Sequence, residues 1–172
     1  MHMLFANKLG TLATLLGDRT REALDGMSPS AGAILLTLRY HGENTASALS
    51  AIAGIAQPTA VRVIDGLVRR GLIERDARVG KTAPLRLTPA GERTADNLQK
   101  TRLMALQTVL DGLTNDQQAD LERLIDTLLA RATTSCAFAR TTCRLCDHAL
   151  CAGSACPIGT RATEIEREEA AC

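Results

Sequence analysis

The sequence predicts a mainly α-helical fold with a small β-wing. Hydrophobic residues make up 45% of the 172 positions but aromatic residues only 2%, so the core must be aliphatic, which suits helix packing. Apolar residues recur at helical spacing in successive segments as far as about residue 132. Two short runs with strand-like alternation interrupt this series and flank a basic loop that contains glycine.

Two helices are predicted at the start of the chain. The first covers residues 3–25, where leucines recur at roughly helical spacing. The second covers residues 31–40. The preceding Ser28-Pro29 pair supplies a capping side chain and a proline, which is tolerated in the first turn of a helix.

A closely spaced pair of helices follows. Thr45 or Ser47 can cap a short third helix, and Gly54 supplies the tight turn after it. The fourth helix covers residues 57–70, with Pro58 tolerated in its first turn and its apolar side chains on one stripe. This order is typical of a helix-turn-helix.

The remaining elements complete the predicted architecture. Residues 72–75 and 84–88 are predicted to form two strands, with residues 76–83 as an exposed wing between them. Thr88-Pro89 begins a long helix that ends near residue 110, and a last helix extends from about residue 114 to 132. The chain then divides into a winged helix-turn-helix domain at 31–88, flanking helices at 1–30 and 89–132, and a cysteine-rich extension at 133–172. Helical periodicity fades in the extension, and residues 163–171 are expected to form one or two helical turns.

Charge is concentrated around the fourth helix and the wing. The net charge of the chain is only +1, but residues 57–93 contain eight basic and four acidic side chains. A basic patch on an otherwise balanced protein is expected where phosphate groups are contacted. The predicted partner is therefore double-stranded DNA.

The fourth helix is predicted to read bases in the major groove, because the N-terminal residues of such a helix reach base edges first. Glutamine pairs with adenine, arginine binds guanine through two hydrogen bonds, and valine contacts the thymine methyl group. Long cationic side chains on the wing can enter the minor groove, and hydroxyl groups near a helix N-terminus can contact a phosphate group. The candidate DNA-binding residues are Thr45, Ser47, Gln57, Pro58, Thr59, Val61, Arg62, Arg78 and Lys81.

The run IAGIAQPTAVRVIDGLVRRGLIERD, followed by LRLTPAGE, resembles the MarR family of bacterial transcriptional regulators. By element order the resemblance extends over residues 3–132. It implies an obligate homodimer, with 1–30 and 89–132 as the helical dimerisation region and each subunit reading half of a pseudo-palindromic operator. It also implies a repressor that a ligand or an oxidant releases from DNA. The wing departs from the family's usual Asp-Arg-Arg tip, since this chain has Asp76-Ala77-Arg78 there. The resemblance implies that Arg78 is the DNA-contacting arginine of the wing and that Asp76 holds its side chain in place.

Cysteines in the extension predict a metal centre. Cys143, Cys146, Cys151 and Cys156 follow the pattern C-x2-C-x4-C-x4-C-P within fourteen residues. An iron–sulfur cluster is favoured by the compact array ending in Cys-Pro, and zinc is the alternative. Disulfides or inert thiols are the remaining interpretation, and His148 can replace one thiol. Two further cysteines lie outside the run. Cys136 is interpreted as a spare ligand or a redox thiol, and Cys172 as a terminal residue.

Two hypotheses for the controlling signal stay open. In the first, the metal centre alters the spacing of the two DNA-binding domains when its cluster is lost or oxidised. In the second, the cysteine site is a structural zinc, and a small molecule binds in the crevice between the dimerisation helices and the DNA-binding domain. An enzyme is not expected, because no nucleophile elbow, phosphate loop or zinc-protease motif is present. No leader or membrane-spanning run is seen, so the protein is expected to be cytoplasmic.

Overall fold

The computed structural model describes residues 2–42, 44–77 and 83–170. In these parts of the chain the structure is mostly helical, with one two-stranded antiparallel sheet. The helices are α1 (His2–Glu22), α2 (Pro29–His41), α3 (Ala46–Ala53), α4 (Gln57–Arg69), α5 (Pro89–Leu110), α6 (Asn115–Ala132), α7 (Cys136–Thr142) and α8 (Pro157–Ala170). The strands are β1 (Ile73–Arg75) and β2 (Leu85–Leu87), and Gly153–Ala155 forms a short 3-10 turn.

Side-chain caps set the starts of the helices. The hydroxyl of Ser28 accepts a hydrogen bond from the backbone N–H of Ala31 at 3.2 Å, and proline follows it as predicted. Thr88 caps α5 in the same way, and Thr114 forms a reciprocal capping box with Gln117 at the start of α6. Each cap satisfies backbone donors that the first turn of a helix leaves unpaired.

The core is centred on α2, which is buried from Ala31 to Leu38. It packs against α3, α4, α5 and β2, so it is the element around which the winged domain is arranged. The fully buried large side chains are aliphatic, as the composition predicts: Leu24, Ile34, Leu35, Leu36, Leu49, Ile64, Leu67, Ile73 and Leu85.

The two-stranded hairpin is short, and contacts with the α2–α3 connection and with α5 hold it in place. Ile73 lies opposite Leu87, and Leu85 forms a further bridge with Asn44, which ties the hairpin to the α2–α3 connection. The first turn of α5 closely approaches the backbone of Leu72, the residue before β1, at Gly91. Together these contacts confirm the predicted fold class of helices with a small β-wing.

The extension is more ordered than the sequence predicted. Ser135 caps α7, and α8 begins at Pro157. The helical turns expected at residues 163–171 therefore belong, as far as Ala170, to a longer helix, and residue 171 lies outside the described residues. Helix α8 has few apolar side chains, which explains the weak helical periodicity of its sequence. Two of them, Ile158 and Ala162, are buried. Helix α8 packs against both α6 and α7.

Helices α1 and α6 expose large apolar side chains. No residue of either helix is buried. The exposed residues are Met3, Leu4, Phe5, Leu9, Leu12 and Leu15 on α1, and Leu124, Ile125 and Leu128 on α6. No single helix in the described ranges is long and apolar enough to cross a membrane. The α3–α4 pair would pass on length and composition but is bent by 109° at its turn.

Candidate nucleic-acid interface and cysteine loop

Helices α3 and α4 meet at an angle typical of a helix-turn-helix. Their axes bend by 109° across a short turn, in which Gly54 adopts a left-handed backbone conformation with φ of 66°. Thr45 is the residue that caps α3, accepting a hydrogen bond from the N–H of Ala48 at 3.2 Å. Ser47 is the second residue of α3 and is exposed.

The N-terminal half of α4 presents a continuous exposed face. Its buried side consists of Ala60, Ile64 and Leu67, which anchor the helix to the core. The residues predicted to contact DNA all lie on the exposed side: Gln57, Pro58, Thr59, Val61 and Arg62. Val61 keeps 39% of its surface exposed, which is notable for a valine beside an aliphatic core.

Ion pairs neutralise part of the basic patch. Arg75 pairs with Asp65 across α4 and β1, and Arg86 pairs with Glu74 at 3.1 Å and with Asp76 at 2.7 Å. Asp76 is therefore bonded to the opposite strand of the hairpin. Arg62 forms no ion pair within the described residues, so its charge is available at the exposed face of α4.

The wing tip falls outside the described residues. The predicted contacts Arg78 and Lys81 both lie there, so their roles, and that of Asp76 as a brace for Arg78, stay predictions.

A cavity separates the helix-turn-helix from the extension. Its volume is about 1080 Å³. It lies between α2 and α3 on one side and α7, α8 and the segment that joins them, residues 143–156 (the cysteine loop), on the other. All four cysteines of the motif line it, together with His41 and His148. The small-molecule hypothesis placed its pocket elsewhere, between the dimerisation helices and the DNA-binding domain.

The four thiols form two neighbouring pairs. Cys143 and Cys146 are hydrogen-bond partners, and so are Cys151 and Cys156. Cys156 also accepts a hydrogen bond from the N–H of Gly159 at 3.2 Å in the first turn of α8. The five cysteines that the structure describes are free thiols, and Cys172 lies outside the described residues.

The thiol pairs are electrostatically coupled. The hydrogen bond to Cys146, together with burial, raises the pKa of Cys143. The same bond from Cys143, helped by the charge of Arg102, lowers the pKa of Cys146 to about 7 against the opposing effect of burial. Burial first, and then the bond to Cys156, raises the pKa of Cys151 to about 11. One thiol of the set is thus readily ionised near neutral pH, as ligand thiols must be.

The spacing of the thiols stops short of a closed metal site. Among the residues described, no group of three or more cysteine, histidine, aspartate or glutamate side chains is arranged to hold a metal ion. Binding a metal through all four cysteines requires the two pairs to close on each other. The donor set still suits zinc or an iron–sulfur cluster, since both take four thiolates.

Helix α5 holds the loop by polar contacts that the sequence analysis missed. When its amide is oriented to satisfy both neighbours, Gln99 donates to the carbonyl of Leu145 at 3.3 Å and accepts from the N–H of Asp147 at 2.9 Å. Arg102 lies one turn further along α5, and its Nε and Nη1 are buried. The sequence did contain one signal for these contacts. Ala95, Gln99 and Arg102 are spaced so that they lie on one face of a helix, next to the buried side of α5.

The end of α2 contacts the other side of the loop. The ring of His148 stacks edge-on against His41 with centroids 4.5 Å apart, and lies 5.9 Å from the ring of Tyr40. Helix α7 packs on α3, and the Thr141 hydroxyl lies 3.5 Å from the carbonyl of Ala51 beside the Gly54 turn. The cysteine loop thus contacts the end of α2, and α7, which precedes the loop, contacts α3.

The fold and the exposed face of α4 define a winged helix-turn-helix protein. Residues 27–80 match the model of the MarR family. The fold is that of MarR-type transcriptional regulators. No curated protein matches the chain.

Solved structures of MarR proteins share this fold. A MarR family protein from Bacillus stearothermophilus is 26% identical with a TM-score of 0.68, over 77% of this chain and 95% of that one. MepR, a transcription regulator of the Staphylococcus aureus multidrug efflux pump MepA, is 16% identical with a TM-score of 0.61, over 70% and 95%. The apo form of MarR from E. coli is 21% identical with a TM-score of 0.59, over 70% and 96%.

Proposed function

We propose that this chain is a sequence-specific DNA-binding transcriptional regulator that acts as a repressor. The observation that carries the proposal is the exposed N-terminal face of α4, set at 109° to α3. The match of residues 27–80 to the MarR family model supports it.

The residues of α4 have distinct roles in this proposal. Gln57 and Arg62 read purine edges in the major groove, and Val61 contacts a thymine methyl group. Thr45 and Ser47, at the start of α3, contact phosphate. Thr59 reads a base edge beside Gln57, and Pro58 packs against the DNA between them. Arg78 and Lys81 extend the contact into the minor groove from the wing.

The regulator acts as a homodimer on a pseudo-palindromic operator. Its interface is the exposed apolar surface of α1 and α6, because side chains such as Phe5 and Leu128 are costly to leave in water. A second copy of the chain places a second α4 on the DNA, and two-fold symmetry then requires two half-sites of related sequence.

Cys143, Cys146, Cys151 and Cys156 hold a metal centre that tunes operator binding. The group is an iron–sulfur cluster, which supplies chemistry sensitive to oxidants and to iron supply. The support is that all four thiols line one cavity and that Cys146 ionises readily. The alternative is a structural zinc at the same cysteines in a repressor that responds to a small molecule.

The loop has a direct route to the DNA-reading helices. The sequence-based hypothesis placed its effect on the spacing of the two DNA-binding domains through the dimerisation helices. The packing of α8 on α6 is compatible with that route. The packing of α7 on α3 beside the Gly54 turn adds a shorter one, within a single subunit.

The DNA assignment is tested with Arg62→Ala on an operator selected from a random duplex library. We expect binding weaker by about 1–3 kcal/mol and a relaxed preference at the base pair that Arg62 reads, because one base contact by a cation is lost. Arg123→Ala, on the exposed side of α6, is the matched control. Equal affinity and base preference for Arg62→Ala and the control would exclude α4 as the reading helix.

The metal assignment is tested on protein purified without oxygen. Iron, acid-labile sulfide and zinc are measured per chain for the wild type, for Cys146→Ser and for the control Cys136→Ser. We expect iron and sulfide in the wild type and the control, and their loss in Cys146→Ser. Operator affinity is then compared with and without metal. A colourless protein with one zinc per chain supports the alternative, and an unchanged affinity of the folded dimer shows that the centre does not tune binding.

A further inference from the structure

Arg102 is half-buried beside the cysteine loop, and two nitrogen atoms of its guanidinium group are fully buried. Its Nε and Nη1 have no hydrogen-bond partner in the part of the chain that the structure describes. Burial lowers the pKa of Arg102, and the neighbouring thiol of Cys146 acts in the opposite direction. Buried donors of this kind are normally paired, so these two nitrogens indicate a missing acceptor.

The position of Arg102 relative to Cys146 is fixed by its own helix. One turn earlier on α5, Gln99 hydrogen-bonds the backbone on both sides of Cys146, at Leu145 and Asp147. Residues three apart lie on the same face of a helix, so Arg102 approaches the same segment of the loop. Arg102 and Cys146 are close enough that the charge of each affects the pKa of the other.

The charge of the proposed centre supplies a reason for this arrangement. Four thiolates around a divalent zinc carry a net negative charge, and an iron–sulfur cluster held by four thiolates is also an anion. An anion in a half-buried loop needs a nearby cation or a set of hydrogen-bond donors. Arg102 does not line the cavity, and it reaches the loop from the α5 side. Among the arginines that do line it, Arg144 already donates to the carbonyl of Thr141 at 2.6 Å.

We propose that Arg102 is the positioning residue and counter-charge of the cysteine centre, with its buried N–H groups donating to the sulfur atoms of the metal-bound form. The proposal rests on the metal centre proposed above and adds a residue to it. Arg102 pairs with the thiolates only when they are held together. The unpaired guanidinium therefore destabilises the metal-free form, and the metal-bound form relieves this cost. Because Arg102 lies on α5, which continues from the wing, it also links the centre to the winged domain.

The test compares Arg102→Met with Lys100→Met in the full-length dimer purified without oxygen. Both changes remove one cation from α5, but Lys100 is exposed. We expect Arg102→Met to lose its metal to a competing chelator more readily than the wild type, with an affinity for the metal about 10–100-fold weaker, as is typical when an outer-shell partner of a metal site is removed. Lys100→Met should hold its metal as tightly as the wild type. Arg102→Lys keeps the positive charge and should hold the metal with an affinity between those of the wild type and Arg102→Met.

A second measurement separates this role from a purely structural one. Thermal unfolding is recorded for each variant with metal and after its removal. We expect Arg102→Met to unfold earlier than the wild type with metal, but not earlier without it, because the unpaired buried charge is then gone. A variant that is less stable in both states, or that loses metal at the wild-type rate, overturns the role of Arg102. Should Arg102→Met fail to fold, Arg102→Gln replaces it in both measurements. A wild type that holds no metal overturns the centre itself, and with it this proposal.

Discussion

A β-carbon on Gly91 would lie 1.9 Å from the carbonyl oxygen of Leu72. That oxygen cannot move away freely, since it accepts a hydrogen bond from the N–H of Thr88 at 3.1 Å. Gly91→Ala must therefore displace α5 from the hairpin. We expect the free energy of unfolding in urea to fall by about 1–3 kcal/mol, the usual cost of overpacking a well-packed site.

Gly112→Ala is the control for this prediction. Apart from its two chain neighbours, no atom of the described residues lies within 4 Å of the position that its β-carbon would occupy, and its backbone is not left-handed. Its unfolding free energy should change by less than about 0.5 kcal/mol. Equal effects of the two substitutions would contradict the close approach of α5 to the backbone of Leu72.

Thr45 and Ser47 should respond differently to replacement by alanine. Thr45 caps α3 through its hydroxyl, whereas the hydroxyl of Ser47 lies beyond the capping position. We expect Thr45→Ala to lower the unfolding free energy by about 1 kcal/mol and Ser47→Ala to lower it much less. Both should weaken DNA binding if both hydroxyls contact phosphate. A larger loss of stability in Ser47→Ala than in Thr45→Ala would contradict the assignment of Thr45 as the N-cap of α3.

Leu128→Glu should weaken the homodimer. Leu128 keeps 58% of its surface exposed on α6, and burying a carboxylate there without a partner costs several kcal/mol. We expect the dissociation constant from sedimentation equilibrium to rise by at least about tenfold, which corresponds to about 1.4 kcal/mol. Leu150→Glu, at an even more exposed apolar residue on the cysteine loop, should leave it unchanged. A wild type that is monomeric at micromolar concentrations would contradict the proposed interface.

The helix-turn-helix was predictable from the sequence because its signals are local. Ser28, Thr45 and Thr88 cap helices at their predicted starts, and the exposed face of α4 follows from the position of its apolar stripe. The docking of the cysteine loop was not predictable. It depends on Gln99, Arg102 and Tyr40, which are distant in sequence from the loop and contribute no periodic apolar pattern. The same absence of pattern concealed α7 and the first half of α8.

Tyr40 reports on this docking. It is the only tyrosine in the chain, which contains no tryptophan, so the absorbance of phenolate measures Tyr40 alone. Burial, followed by a hydrogen bond with Asp147 of the cysteine loop, raises the pKa of Tyr40 from 10.0 to about 12. We expect a spectroscopic titration of the folded protein to give a midpoint near that value.

The raised pKa of Tyr40 also has a consequence for stability. The folded state favours the neutral phenol, so this contribution is fully present below pH 10 and is lost as the pH rises from about 10 to about 12. Asp147→Asn should lower the pKa of Tyr40 only part of the way towards 10, because burial is the larger cause. Asp120→Asn, on α6, is the charge-matched control and should leave it unchanged. If the wild type titrates near 10, the cysteine loop does not dock on the end of α2 as the structure has it.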